Sequence, residues 1–566
     1  MKIDLLFING SVFNVYLKQF LPHCLAVKEG RILYNGPYEK DLFEAEKVID
    51  AAGKYIVPGL IDSHMHIQSS MMVPGTFSDA VLPHGVTTVI SEPHEIANVF
   101  GLSGIEASLA AASRCALDIF LAMPSSVPST SAALETTGGE IGIPEIREMM
   151  KNPRTICLGE VMNVHDVVYK PDCKVNQIIR YVRAHAPLMP LEGHCPRVTG
   201  LPLAVFLTRG VTSDHTEQTM EGMRQRITNG MFIQLQKKSL HQELLSYIDT
   251  HHLEDRMALV TDDTMPDALL AEGHLDQIVR LAIRLGFPAE KAIYCASYSP
   301  AQRMRLFDRG ALDPGKLADL ILLDDLPSFH IAQVYKKGQP AASSGHPASS
   351  FPAAFYDSVH VPFQKVSDFE IPAPFTEGTI TCRAALVQEH STMTLPAKAD
   401  LPVRDGKVLW ENSSYALAAV IERHGKGGGR GFLLIGGNAL TSGAAASTYA
   451  HDHHNLLVLG RNKKDMAAAA NEVIRMKGGL CAVQSGNILG TIHLPVAGIL
   501  SEAPLETLGK EAASFKKALT ALGYRQDNPI MSMTTLGLPV SPSLKVTDKG
   551  IIDVQKQEIV PFFVNQ

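Results

Sequence analysis

From Val57 to about residue 310, short apolar, β-rich runs alternate with longer helical patterns, and this alternation restricts the possible folds more than any other feature of the chain. Eight runs have strand character: 58–66, 86–92, 117–123, 155–162, 187–194, 210–215, 231–236 and 257–263. Strands separated by crossover helices pair in parallel. Eight such units in about 250 residues are the count and size of a closed (β/α)8 barrel, with an open doubly wound sheet as the competing arrangement.

The flanks read differently. Before the alternation, residues 1–57 are short strands: Leu5 to Ile8 runs into the turn pair Asn9-Gly10, and Leu25–Val27 and Arg31–Tyr34 flank Lys28-Glu29-Gly30 as a hairpin. After it, Ala318–Leu323 and Val334-Tyr335 are again strand-like. Both flanks could then complete one small β-sandwich from the two ends of the barrel. Residues 338–352 are rich in Gly, Pro, Ser and Ala, the composition of a linker. Beyond it, Gly431–Ile435 and Asn455–Leu459 look like buried strands, and Lys464 to Met476 has helical periodicity. The expected fold is α/β: a TIM-like (β/α)8 barrel over 58–310, a β-sandwich from 1–57 and 311–345, and a C-terminal α/β domain over 365–566.

Bulk properties narrow the partners. A chain of 566 residues exceeds one hydrophobic core, so two or three domains are expected. A net charge of -7 gives no basic footprint for nucleic acid or an anionic membrane. No apolar run of about 20 residues is present to span a bilayer, and the first residues lack a secretory signal pattern. Eight scattered cysteines with no CxxC spacing suggest reduced thiols. The expectation is a cytoplasmic protein acting on a small molecule.

The chemistry is concentrated at the ends of the predicted strands. His64 and His66 are two apart, so on an extended strand they share a face at the C-terminal end of the first unit, where barrel active sites sit. An HxH pair alone is weak: with 22 histidines about one is expected by chance, and His451-x-His453 is another. The stronger signal is the order of further donors along the chain. Glu160 ends the fourth strand, His194 the fifth, His215 the sixth and Asp262 the eighth, with Asp263 directly after it as the competing carboxylate. Any one of these could be a satisfied buried polar group; six at correlated positions point to metal. Four imidazoles and two carboxylates suffice for two cations, which Glu160 could bridge. A nitrogen and oxygen donor set suits Zn, Mn or Fe. A cation there would lower the pKa of a bound water, and Asp262 is placed to take its proton. His94, in Ser91-Glu92-Pro93-His94-Glu95, comes after the second strand and could move a proton at the same mouth.

These segments resemble the adenine deaminases of the amidohydrolase superfamily over nearly the whole chain. The resemblance is carried by Pro58 to Met72, by Leu82 to Val99, by Leu158 to Asn163, by Ala271 to Asp276 and by Gly310 to Asp325. In the last domain it is carried by Ala445 to Asn455, by Leu536 to Val540 and by Leu544 to Gly550. It implies hydrolysis of adenine to hypoxanthine and ammonia, as in purine salvage, with a binuclear Mn2+ or Fe2+ site that also admits Zn2+. It implies His64, His66, Glu160, His194, His215 and Asp262 as ligands with Glu160 bridging, and Asp262, His94 and Glu160 as catalytic. A homo-oligomer, a dimer, is the family expectation. The chain departs from the family at Thr216, Thr264 and Gln236–Ser239, all expected at the barrel mouth where selectivity is set. Those departures keep open a related amidohydrolase acting on another aminopurine, a cyclic amide or an N-acyl group. A non-catalytic member of the fold is the third reading, disfavoured because all six ligand positions are kept. His451, His453 and His454 either reach the site or form a polar cluster at a domain interface.

Overall fold

The computed structural model describes residues 1–341 and 351–564; residues 342–350, most of the sequence-predicted linker and the end of the second sandwich segment, lie outside the described residues. All eight runs of the alternating region contain strands. They form a five-stranded parallel sheet of Leu60–Met65, Val86–Ser91, Asp118–Met123, Thr155–Val161 and Leu191–Gly193, and a three-stranded parallel sheet of Ser213–Asp214, Phe232–Leu235 and Met257–Leu259. Their residues are buried almost throughout, as expected of parallel strands covered on both faces.

Backbone bonds link the two sheets at both seams. At one, Thr212 N donates to Leu191 O at 3.2 Å; at the other, Asp262 N donates to His64 O at 3.2 Å and His66 N also donates to Asp262 O at 3.5 Å. The fifth, sixth and eighth strands are shorter than the sequence pattern suggests. Pro187 and Pro190 have no N–H for a ladder. Gly210 turns at a φ of 105°, and Asp262 takes a left-handed φ of 58° that ends the extended run before it.

The two flanks meet in one six-stranded sheet. Tyr55–Pro58 pairs antiparallel with Leu320–Leu323, in the register Pro58 opposite Leu320 and Tyr55 opposite Leu323. Facing it is a four-stranded sheet of Arg31–Gly36, Cys24–Lys28, Lys2–Ile8 and Glu44–Asp50, which holds the expected hairpin across Glu29-Gly30. Phe7, Leu25, Val27, Ile56, Leu320 and Tyr335 fill the space between them.

The last region is built on a nine-stranded, mostly antiparallel sheet running from Lys407–Val408 at one edge to Asn487–His493 at the other. Its central strands are buried on both faces, and the period of two divides their side chains cleanly. Leu417, Ala419, Ile421, Val458 and Cys481 meet the helix Lys463–Arg475, whose Met466, Ala470 and Val473 face them. Ala418, Val420, Leu457, Leu459 and Ala482 belong to the opposite core, with Leu508, Ala512 and Phe515 of the helix Leu505–Ala521 and residues of the parallel-sheet region. Asn462 starts the helix Lys463–Arg475 by accepting from Asp465 N at 2.8 Å. The predicted strands around 431–435 and 455–459 are Arg430–Gly437 and Leu456–Gly460. Among the described residues no helix is long and apolar enough to cross a membrane.

Candidate metal centre

Parallel strands ending at one level bring distant residues together, and six of those named from the sequence meet here. Glu160, inside the fourth strand, is the hub. Its Oε2 lies 2.9 Å from His194 Nδ1 and 3.1 Å from His215 Nε2. Its Oε1 lies 3.4 Å from His66 Nε2 and 3.8 Å from His94 Nδ1. Asp262 Oδ1 stands 3.4 Å from His66 Nε2 and 3.7 Å from His64 Nε2. Two groups of donor atoms result, one of His64, His215 and Asp262 and one of Glu160, His194 and His215, each with its atoms within 4.8 Å. A third joins His66, Glu92, His94 and Glu160.

The donor set fits a cation. His64 Nε2 is buried without a hydrogen-bond partner, an arrangement that protein interiors avoid unless something fills the gap. Oxygen and imidazole donors with no thiolate suit a borderline or hard divalent metal. The neighbouring supports have the form that metal-site histidines require. His66 Nδ1 lies 2.9 Å from Glu92 O, which turns Nε2 towards Glu160 and Asp262. Gln236 Nε2 donates to His215 O at 2.9 Å and also to Asp262 Oδ2, so Asp262 presents its other oxygen to the imidazoles.

The electrostatics agree. Burial alone would raise Glu160 and Asp262, but the surrounding imidazoles override it and hold both carboxyls well below their usual range. Burial would lower His66, yet Asp262 and Glu160 hold it well above its usual value. His215 falls to about 4, through burial and then through His64, whose ring stacks on it at 3.7 Å. A cation held here would take over the role of the protons that balance these carboxylates.

His94 stands beside this cluster. Its Nδ1 is hydrogen-bonded to Glu92 Oε2 and its Nε2 is 3.4 Å from Glu95 Oε1. Burial would lower it, but Glu92 and Glu95 hold it well above the usual histidine range. Both adjacent aspartates have an oxygen in a donor group with His66, but Asp262 also stands 3.7 Å from His64 Nε2, while Asp263 accepts from Ser69 Oγ. Glu92 is the site residue that sequence reasoning misses, although it comes directly after the second strand and the strand-end rule that selects Glu160 applies to it.

The positions expected to line the mouth divide. Thr216 turns inward, and its Oγ1 donates to Asp214 Oδ2 at 2.8 Å. Gln236 is part of the support of Asp262, Lys237 is exposed and paired with Glu272, and Ser239 Oγ accepts from Gln218 N at 3.0 Å. Thr264 is half-buried. From the last region, His451 and His454 contact Glu95, and Asp452 Oδ1 lies 3.9 Å from His94 Nε2. His453 is buried beside them, with Nδ1 accepting from Asn455 N at 3.0 Å. His451 and His454 of this segment therefore reach Glu95, next to His94, from the last region of the chain.

Comparison with known proteins gives a consistent result. Residues 55–195 and 190–341 match the amidohydrolase family, and residues 391–558 match the adenine deaminase C-terminal domain. The chain is 46% identical over 573 residues to "Adenine deaminase 2" of Shouchella clausii, covering all of both chains. It is 43% identical over 572 residues to "Adenine deaminase" of Clostridium perfringens, again covering all of both. Among solved structures, a crystal structure of an adenine deaminase matches with a TM-score of 0.46 and 17% identity, over 60% of this chain and 99% of that one.

Proposed function

The chain belongs to the adenine deaminase family of the amidohydrolases and hydrolyses adenine to hypoxanthine and ammonia, and we propose that it does so at a two-metal site held by His64, His66, Glu160, His194, His215 and Asp262. The observation that carries this reading is the position of Glu160, whose two oxygens face different histidine groups. A carboxylate so placed is suited to bridge two cations. Mn2+ or Fe2+ is the proposed occupant, and Zn2+ has the same donor preference.

When bound, the metal supplies a water nucleophile that is activated near neutral pH. The chain's own residues do the rest. Asp262, fixed by Gln236, accepts the proton of the attacking water through the oxygen that faces the imidazoles. His94, with Nδ1 tied to Glu92 and Nε2 at the longer distance of 3.4 Å from Glu95, delivers the Nε2 proton to the departing amine of the substrate. Burial of His64, His66, Glu160 and His215 keeps bulk water from competing with these partners.

Architecture belongs to the same proposal. The seam bonds at Thr212–Leu191 and Asp262–His64 support reading the eight strands as one closed barrel over 58–310. The shared flank sheet supports one sandwich from 1–57 and 311–345, with 365–566 as the C-terminal domain. A homodimer in the cytoplasm completes the reading.

The test is ammonia release from adenine, other aminopurines and cyclic amides by Mn2+-loaded protein, with metal content measured alongside. Selective turnover of adenine with about two metals per chain, lost in Glu160→Gln, is the expected result. Full adenine turnover by metal-free protein would overturn the metal reading. Turnover of another aminopurine in place of adenine would move the substrate to that compound and the cause to Thr264 and Gln236–Ser239.

A further inference from the structure

Glu95 is buried and, among the described residues, has no Lys or Arg as a hydrogen-bond or ion-pair partner. A carboxylate in that position is costly unless it is fully paired. Three imidazoles satisfy it. Oε1 lies 2.8 Å from His451 Nδ1 and 3.4 Å from His94 Nε2, and Oε2 is hydrogen-bonded to His454 Nε2. Glu95 and His454 are 359 residues apart in the chain, so this one carboxylate joins the helix His94–Ala112 of the barrel region to the connection between Ala444–Ser447 and Leu456–Gly460 of the last region.

The far side of the contact is rigidly held. His454 Nδ1 accepts from Ala450 N at 3.2 Å, so the ring proton is on Nε2 and points at Glu95. His454 N donates to Ala450 O at 2.7 Å. Arg423, itself buried, donates to His454 O, to Ser358 O at 2.9 Å and to Ala497 O at 2.9 Å. Asn455 Nδ2 donates to Thr136 O at 2.8 Å, tying the same connection back to the barrel region. The route from this network to the six proposed ligands runs through His94, which has Glu95 on one ring nitrogen and Glu92 with Glu160 on the other.

We propose that Glu95 is a positioning residue, held by His454 and His451 of the C-terminal domain, that fixes the His94 ring in the orientation needed to protonate the departing amine. The C-terminal domain is then part of the active site through hydrogen bonds to one carboxylate. This inference rests on the deaminase reading above, and it predicts that the donor N–H at position 454 matters, while the aromatic shape does not.

The experiment compares Glu95→Gln, His454→Phe and His454→Gln in Mn2+-loaded full-length protein, reading kcat, KM, metal content and melting temperature. His454→Phe keeps the ring and loses the donor; His454→Gln keeps a donor at similar reach. The expected result is a fall in kcat of roughly tenfold or more in Glu95→Gln and His454→Phe, the scale of a displaced general acid. KM and metal content stay near wild type, and His454→Gln recovers most of the rate. Wild-type kcat in His454→Phe, or equal impairment of His454→Gln and His454→Phe at full metal content, would overturn the proposal. Should His454→Phe fail to fold, the near-isosteric Glu95→Gln decides alone, and an unchanged kcat there is fatal. A wild-type protein that leaves adenine untouched refutes the deaminase reading instead, and the same variant ratios are then measured on the compound it does hydrolyse.

Discussion

Arg226 donates its Nε to Asp214 Oδ2 at 2.8 Å, with both side chains buried and Asp214 directly before His215. The guanidinium also donates to Cys195 O at 2.6 Å, directly after His194. One cation thus braces the two strand ends that carry His194 and His215. Asp214 also accepts from Cys195 N, Thr216 Oγ1 and Gln218 Nε2. Burial would raise it, but Arg226 above all holds it down to about 2. Removing one partner of a buried pair costs about 3–5 kcal/mol. Arg226→Met is therefore expected to lower the melting temperature and to reduce metal content together, as read by calorimetry and by elemental analysis. Loss of stability with full metal content would mean that the pair supports the fold alone.

Gln236 makes a narrower prediction. Its amide donates to Asp262 and to His215 O, so Gln236→Leu leaves a buried carboxylate oxygen without a donor. An unsatisfied buried acceptor costs about 1–3 kcal/mol, more when charged. The expected effect is a fall in kcat of roughly 5- to 150-fold, since 1.4 kcal/mol is about one decade. KM changes less, because the group supported is Asp262 and not a surface that touches substrate. A change confined to KM would place Gln236 in the substrate pocket.

The clustering of His64, His66, Glu160, His194, His215 and Asp262 was legible because parallel strands end at one level. A donor at each strand end needs no knowledge of side-chain packing to be placed with the others. The same rule failed for Thr216. It assumes that the residue after His215 continues towards the mouth, but the sixth strand is only Ser213–Asp214, and beyond it the chain turns Thr216 onto Asp214. The histidine cluster at 451–454 was a signal, but nothing local paired His454 with Glu95. Only the packing of two regions 359 residues apart makes them partners.

Lys545 sets a pH dependence away from the site. It is fully buried and its ammonium donates to Thr392 O at 2.8 Å. Burial lowers it from the usual 10.5 to about 7. Between those values the unfolded chain holds a proton that the folded chain has released, so stability rises with pH over that window, at most about 1.4 kcal/mol per unit. Below about 7 the penalty is fully present. Lys545→Met removes the group, so the variant should gain stability over wild type near pH 7 and lose that advantage as pH approaches 10. Urea unfolding of both proteins at several pH values isolates the effect as a difference. A pH-independent difference would mean that Lys545 titrates normally in the fold.

The C-terminal domain can be moved without touching its histidines. Gly509, on the helix Leu505–Ala521, approaches the helix Pro266–Glu272 so closely that a Cβ there would lie 2.7 Å from Leu270 Cδ2 and 3.0 Å from Pro266 O. The Leu270 Cδ2 methyl can swing away, since that side chain is partly exposed, but Leu270 Cβ at 2.9 Å and the Pro266 carbonyl are fixed by the backbone. Gly509→Val adds branched atoms on that side and has to push the two helices apart, an overpacking penalty of roughly 1–3 kcal/mol. The Lys516–Asp267 ion pair, at 2.7 Å on the same two helices, should weaken with it. If the domain holds His94 through Glu95, a shift of this seam reaches the chemistry as well as the stability. Gly509→Val is expected to lower kcat more than it lowers metal content, with Gly509→Ala intermediate. An unchanged kcat in a destabilised Gly509→Val would show that the helix seam and the Glu95 contact move independently.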